Sequence, residues 1–149
     1  MNAVPPFFSE SVLPWLGKTM KLVDSYFGAF MAEKGFDVSR RQWLVIMIIH
    51  SNGPQPQNNL ALITERDKAS LKRLIDTMER KNFVARLPVP DDKRVNLIHL
   101  TKQGISLAEK TKPIMQGLID ELQEGTSKED REAAIRVMGQ IQENIIKKL

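Results

Sequence analysis

Residues 67–104 read DKASLKRLIDTMERKNFVARLPVPDDKRVNLIHLTKQG, and the rest of the chain is arranged around them. Leu71, Leu74, Ile75 and Met78 recur at i, i+3, i+4 and i+7, the spacing of one helical stripe. At about 100° per residue, Ala69, Lys72, Arg73, Asp76 and Arg80 turn away from that stripe. Asp67 is placed to cap the first turn by accepting backbone N–H groups, and Asn82 suits the left-handed residue that ends a helix. Beyond it, Phe83–Val89 and Val95–Leu100 are rich in strand formers and predict two arms joined by a turn at Pro90-Asp91-Asp92-Lys93. Pro88 and Pro90 cannot donate ladder hydrogen bonds, so the first arm must be an edge strand or lose regularity early. Thr101 is positioned to cap a new helix.

A helix with a basic outer face beside a hairpin with a basic tip is the arrangement of a winged helix-turn-helix that grips duplex DNA. Either piece alone is also the pattern of an ordinary solvated surface; it is their adjacency that points to nucleic acid. Lys68, Ala69, Ser70, Lys72 and Arg73 occupy the exposed start of the helix, where such a helix reaches base edges in the major groove. Short side chains there allow close approach, and long cations reach guanine edges or phosphates. Arg94, just past the tip, suits the negative potential of a minor groove. Asp92 is spaced to orient its guanidinium through a charge-assisted bond. Lys93, Arg66 and Arg86 are candidate phosphate contacts.

Asp92-Lys93-Arg94, then Leu97, Leu100-Thr101 and Gly104, resembles the wing signature of MarR-type transcriptional regulators, a D-x-R, a short strand and L-T-x-x-G. Asp67-Lys68-Ala69-Ser70, Leu74-Ile75-Asp76 and Met78–Val84 resemble that family's recognition helix and its exit, with Asn82 where the family often has glycine. The order and length of the elements match over nearly the whole chain. The resemblance implies a mainly α fold with a small β wing, in which a winged helix-turn-helix core is flanked by N- and C-terminal dimerisation helices.

Upstream, Ser9 or Ser11 can start a first helix with Pro14 in its first turn, and Gly35 ends it. Leu16, Met20, Val23, Phe27 and Phe30 form its stripe, widened by Trp15, Leu22 and Tyr26; Met1–Phe8 reads as extended. Ser39-Arg40-Arg41-Gln42 is a capping box, with Val38 and Trp43 placed for a hydrophobic staple. The helix Arg40–His50 is apolar through Trp43–Ile49 and therefore central, and Ser51-Asn52-Gly53-Pro54 stops it. Gln57–Ile63 is a short helix, and Thr64–Arg66 is the turn into the basic one.

Downstream, Ala108, Met115, Leu118, Ile119 and Leu122 give a fifth helix an apolar face that Pro113 should kink or break, and Gly125 ends it. Thr126 with Glu129, or Ser127 with Asp130, caps a last helix striped by Ala134, Val137, Met138, Ile141, Ile145 and Leu149. The whole, residues 1–149, is expected to be one domain: a helix over 9–35, a winged unit over 39–101 and helices over 102–149. The terminal helices carry more apolar surface than one winged unit needs, which predicts burial against a second copy. A two-fold dimer sets two reading heads about one helical turn apart and fits a near-palindromic operator.

Charge agrees with this division. Of 22 Lys and Arg, eleven lie between Ser39 and Thr101, against six of 18 Asp and Glu, so that segment carries +5 and the remainder −1. There is no cysteine, which excludes disulfides and thiol chemistry. No apolar run reaches the roughly 20 residues of a membrane helix, and the start lacks a signal-peptide pattern, so a cytoplasmic location is expected. His50 and His99 lack partners at metal-ligand spacing, and no phosphate loop or nucleophile motif is present; no cofactor, no metal and no catalysis are expected. The resemblance also implies a small aromatic ligand between the DNA-binding lobe and the dimer helices, with Trp15, Tyr26, Phe27, Phe30, Trp43, Met47 and His50 as its candidate lining. The expected function is a sequence-specific regulator binding double-stranded DNA, a repressor released by such a ligand. The charge distribution alone also permits a winged-helix interaction module that binds an acidic protein.

Overall fold

The computed structural model describes residues 5–64 and 67–149, with Leu62 and Ile63 described by backbone alone. It runs α1 (Leu13–Glu33), α2 (Arg40–Asn52), β1 (Gln55–Pro56), α3 (Gln57–Ile63), α4 (Lys68–Arg80), β2 (Val84–Val89), β3 (Asp92–Leu100), α5 (Lys102–Leu122) and α6 (Lys128–Ile146). Two compact units divide the chain, Met1–Lys110 and Thr111–Leu149, and the boundary falls inside α5.

In the first unit the helix ends are set by the residues the sequence singles out. Ser39 Oγ accepts from the Gln42 amide at 3.2 Å and Gln42 Oε1 accepts from the Ser39 amide at 3.1 Å, completing the capping box of α2. Asp67 caps α4 by accepting from the Ser70 amide at 2.9 Å. Asn82 has φ 59° and Gly35 φ 85°, the left-handed conformations that stop α4 and α1. The start of α1 is different from a simple serine cap. Val12 is the boundary residue, and Ser11 Oγ accepts from the Leu13 amide at 3.2 Å. Pro6–Phe8 is a turn of 3-10 helix and not an extended segment.

Phe27, Met31, Val45, Ile46, Ile49, Leu60, Leu71, Ile75, Met78, Phe83, Val84 and Ile98 make the core of this unit. Each Leu or Ile so buried contributes on the order of 1.5–3 kcal/mol, and together these residues fix α2 and α4 against the sheet. The sheet has the antiparallel order β1-β3-β2. β1, two residues long, is absent from the sequence reading: Gly53-Pro54 signals a stop, and two residues carry no alternation. β3 begins at Asp92, three residues before the expected arm, so the turn shrinks to Pro90-Asp91. The register then slips between Pro88 and Val89: Pro88 pairs with Asn96 but Val89 pairs with Asp92. That leaves Lys93, Arg94 and Val95 without register partners, the irregularity that Pro88 and Pro90 force on an edge strand.

Gly104 locks α5 to the wing. A Cβ there would lie 2.1 Å from the Phe83 carbonyl oxygen. That oxygen accepts from the Thr101 amide at 3.0 Å and from Thr101 Oγ1 at 3.2 Å, while Thr101 Oγ1 accepts from the Gly104 amide at 3.1 Å.

In the second unit, Thr111, Met115 and Leu118 are buried. The helix passes through Pro113 without breaking; the ring deletes one backbone donor, but helical structure continues on both sides. Ser127 and Asp130 form the capping box of α6, and Gly125 precedes it at φ 81°. None of the residues of α6 is buried, although Ile135, Val137, Met138, Ile145 and Ile146 are on it.

Candidate nucleic-acid interface

α4 presents the expected face. Lys68, Ala69, Lys72 and Arg73 are exposed and Ser70 is half-buried, while Leu71, Ile75 and Met78 point into the core. Asp67 is held below the usual carboxylate range, chiefly by the hydrogen bonds it accepts from Ser70. Its charge sits at the positive end of the helix, where it stabilises the first turn. Arg73 Nη2 donates to Ser70 Oγ at 3.2 Å. Among the described residues, Lys68, Arg73, Lys93 and Arg94 form no ion pair.

Lys72 and Arg86 are placed differently. Lys72 Nζ donates to Asp76 Oδ2 at 2.9 Å, one turn along the same helix, though its side chain remains 66% exposed. Arg86 reaches from β2 to α4. Its Nη1 lies 2.7 Å from Asp76 Oδ1 and 3.5 Å from Glu79 Oε2, and its Nε donates to Gln57 Oε1 at 3.0 Å. Only 19% of that side chain is exposed. Its guanidinium therefore joins α3, α4 and the root of the wing, an engagement that spacing in the sequence does not reveal. Asp76, between the two cations, has its carboxyl held below the usual range, first by the bond from Lys72 and then by that from Arg86.

At the wing tip, Asp92, Lys93 and Arg94 are all exposed. Asp92 Oδ1 accepts from the backbone amide of Arg94 at 3.0 Å. The expected bond between the Asp92 carboxylate and the Arg94 guanidinium is thus replaced by one to the main chain, which sets the local turn and leaves the guanidinium outward. Arg66 lies outside the described residues.

Arg40 and Arg41 enter the sequence reading only as the first turn of a capped helix. In the structure they line a cleft of about 620 Å³ together with Asp24, Ser39, Ser70, Arg73, Leu74 and Thr77. Arg40 is ion-paired with Asp24. A second cleft, of about 460 Å³, lies among Phe36, Asp37, Lys81, Phe83, Ser106, Leu107 and Lys110. Lys81 Nζ is 3.2 Å from Asp37 Oδ1 there and donates to the Asp37 carbonyl at 3.1 Å.

Neither cleft is lined by any of the seven candidate ligand residues. Phe27 is buried, its ring centroid 6.0 Å from that of Trp43; Tyr26 and Phe30 stack at 6.2 Å; Met47 and His50 are half-buried; Trp15 is 45% exposed. These side chains lie on α1 and α2, where helical spacing brings the rings together in pairs. His99, on β3, is half-buried. Among the described residues no group of acidic and histidine side chains is arranged to hold a metal ion, and no helix is long and apolar enough to cross a membrane.

Comparison with known proteins assigns the geometry. Residues 38–95 match the model of the MarR family. The chain is 35% identical over 75 residues to YhbI, an uncharacterised helix-turn-helix-type transcriptional regulator of Bacillus subtilis. That match spans 50% of this chain and 49% of YhbI, about half of each. Among solved structures, a mutant MarR from E. coli in complex with operator DNA superposes with a TM-score of 0.81 at 21% identity, covering 93% of this chain and 99% of that one. A MepR–DNA complex from S. aureus superposes at 0.78 and 20% identity, covering 88% and 96%. At such identities the likeness is one of fold. Sequence and fold agree in kind: residues 38–95 are similar to the MarR family, and the chain shares the fold of these two regulators.

Proposed function

We propose that the protein is a transcriptional regulator that binds double-stranded DNA sequence-specifically as a homodimer. The observation that carries this reading is that, among the described residues, Lys68 and Arg73 at the exposed start of α4 and Lys93 and Arg94 at the wing tip form no ion pair, all within one compact unit. Lys68, Ala69, Ser70, Lys72 and Arg73 face the major groove, Arg94 enters the minor groove, and Lys93 and Arg66 meet phosphates. Arg86 serves chiefly to hold the wing to α4, with any phosphate contact secondary to that. Asp92 shapes the tip through the Arg94 amide.

The dimer is supported by the exposed apolar side chains of α6 and by Leu13, Trp15, Leu22 and Tyr26 on α1, which a second copy would cover. The sign of regulation we assign is repression, relieved by a small aromatic ligand. Its support is the family resemblance and the aromatic pairs of α1 and α2. Titration with phenolic acids tests it through Trp15 and Trp43 fluorescence, where a flat response removes the ligand.

Selection of bound duplexes from a random pool tests the reading as a whole. Near-palindromic sites with half-sites about one helical turn apart are expected. A pool that stays random overturns sequence-specific binding, and enrichment of single half-sites overturns the dimer.

A further inference from the structure

The cleft between the first turn of α2 and the outer face of α4 is lined by three arginines and one aspartate. Asp24 is consumed by Arg40. Arg41 is exposed and its side chain makes no hydrogen bond or ion pair among the described residues, and Arg73 donates to the Ser70 hydroxyl and feels the Asp67 carboxylate at a distance. Two guanidinium groups from different elements thus border one cleft, and among the described residues neither is ion-paired to a carboxylate. The cap of α2 needs Ser39 and Gln42, and Arg41 between them contributes neither bond.

We propose that this cleft seats one backbone phosphate of the bound duplex, held by Arg41 together with Arg73; the proposal rests on the DNA-binding reading above. A helix lying in the major groove has a phosphate strand along each side of it. The cleft runs along one side of α4, from Ser70 past Arg73 to Thr77, with α2 as its other wall. A guanidinium matches a phosphodiester in charge and in its planar pair of donors. The positive end of α2, at Ser39–Arg41, adds to the same field. Arg41 therefore extends the basic face beyond the helix-turn-helix to the preceding helix. Its contact is blind to sequence and fixes how deeply α4 enters the groove.

The test uses the full-length protein, a selected duplex and a random one of equal length. Arg41→Ala is expected to weaken both to the same degree, about eightfold at 0.1 M salt relative to 1 M, and to lower the slope of log affinity against log salt by about 0.9, one phosphate. Arg41→Lys keeps the charge and is expected to keep the slope. Thermal melting of the free variants is expected to match that of the parent, since among the described residues the exposed Arg41 side chain makes no hydrogen bond or ion pair. Unchanged affinity and slope in Arg41→Ala, in a protein whose Arg94→Ala variant binds more weakly, overturns the cleft and leaves the DNA reading standing. Failure of the parent to bind any duplex overturns both. A rise in melting temperature with inorganic phosphate that Arg41→Ala abolishes, with duplex affinity intact, assigns the cleft to a free anion and also overturns the proposal.

Discussion

Arg86 Nη1 lies 2.7 Å from Asp76 Oδ1, a bond between the second strand and the basic helix that sets the root of the wing against α4. Because the Asp76 carboxyl is held below its ordinary 3.8 by Lys72 and Arg86, the native protein binds fewer protons there than the unfolded chain. Its stabilisation is complete above the unfolded value and is lost as pH falls through the lower native one. Urea denaturation across the acid range is therefore expected to show Asp76→Asn less stable than the parent at neutral pH and flatter in its response below 3.8. Asp67 and Asp130, depressed by their capping bonds, keep some slope in the variant. Parallel curves would remove Asp76 from the linkage.

Gly104→Ala places a methyl against the Phe83 carbonyl, a backbone atom already bonded to Thr101. The clash cannot be relieved by turning a side chain. A loss of roughly 1–3 kcal/mol in denaturant unfolding is expected, the usual cost of overpacking. An unchanged midpoint would mean that the start of α5 is free to shift.

Arg94→Ala is expected to weaken binding to the selected duplex by roughly 1–3 kcal/mol while leaving the melting temperature in place, because among the described residues the exposed guanidinium forms no ion pair. A gel-shift series with unaltered affinity would deny the wing its place on DNA.

Met138→Glu combined with Ile145→Glu puts two carboxylates, seven residues apart, on one side of α6. Sedimentation velocity is expected to move from dimer to monomer, with circular dichroism retaining the helical signal, because neither residue is buried. A dimer that survives would locate the contact elsewhere.

What the sequence shows and what it hides divide along a physical line. Local rules place the caps at Ser39 and Asp67, narrow that of α6 to Thr126 or Ser127, of which the structure uses Ser127, and place the stop at Asn82 and the bounds of α3 and α4 nearly to the residue, because each depends on neighbours within four positions. The exposed cations of α4 and the tip follow from periodicity in the same way. Pairings that cross the chain are not legible: Gln55 with Ile98, Asp76 with Arg86, and Arg41 with the outer face of α4 become neighbours only through the tertiary fold. Arg86 was readable as a basic residue on a strand, but not as one turned inward to two carboxylates. Aromatic spacing on α1 and α2 favours packing over a cavity, and the rings do pair there, Tyr26 with Phe30 and Phe27 with Trp43.

Within the sheet, β3 has a neighbour on both sides only at Leu97 and Ile98, where β1 and β2 flank it; from Asn96 outward it has β2 alone, and Lys93–Val95 have no register partner. Ile98 is fully buried, and Arg94 is exposed four residues away. The finger is thus a cantilever, clamped at its base and compliant at its end. It can follow a channel whose width varies from one step to the next without straining the clamp, and its last few residues can be exchanged without consulting the core.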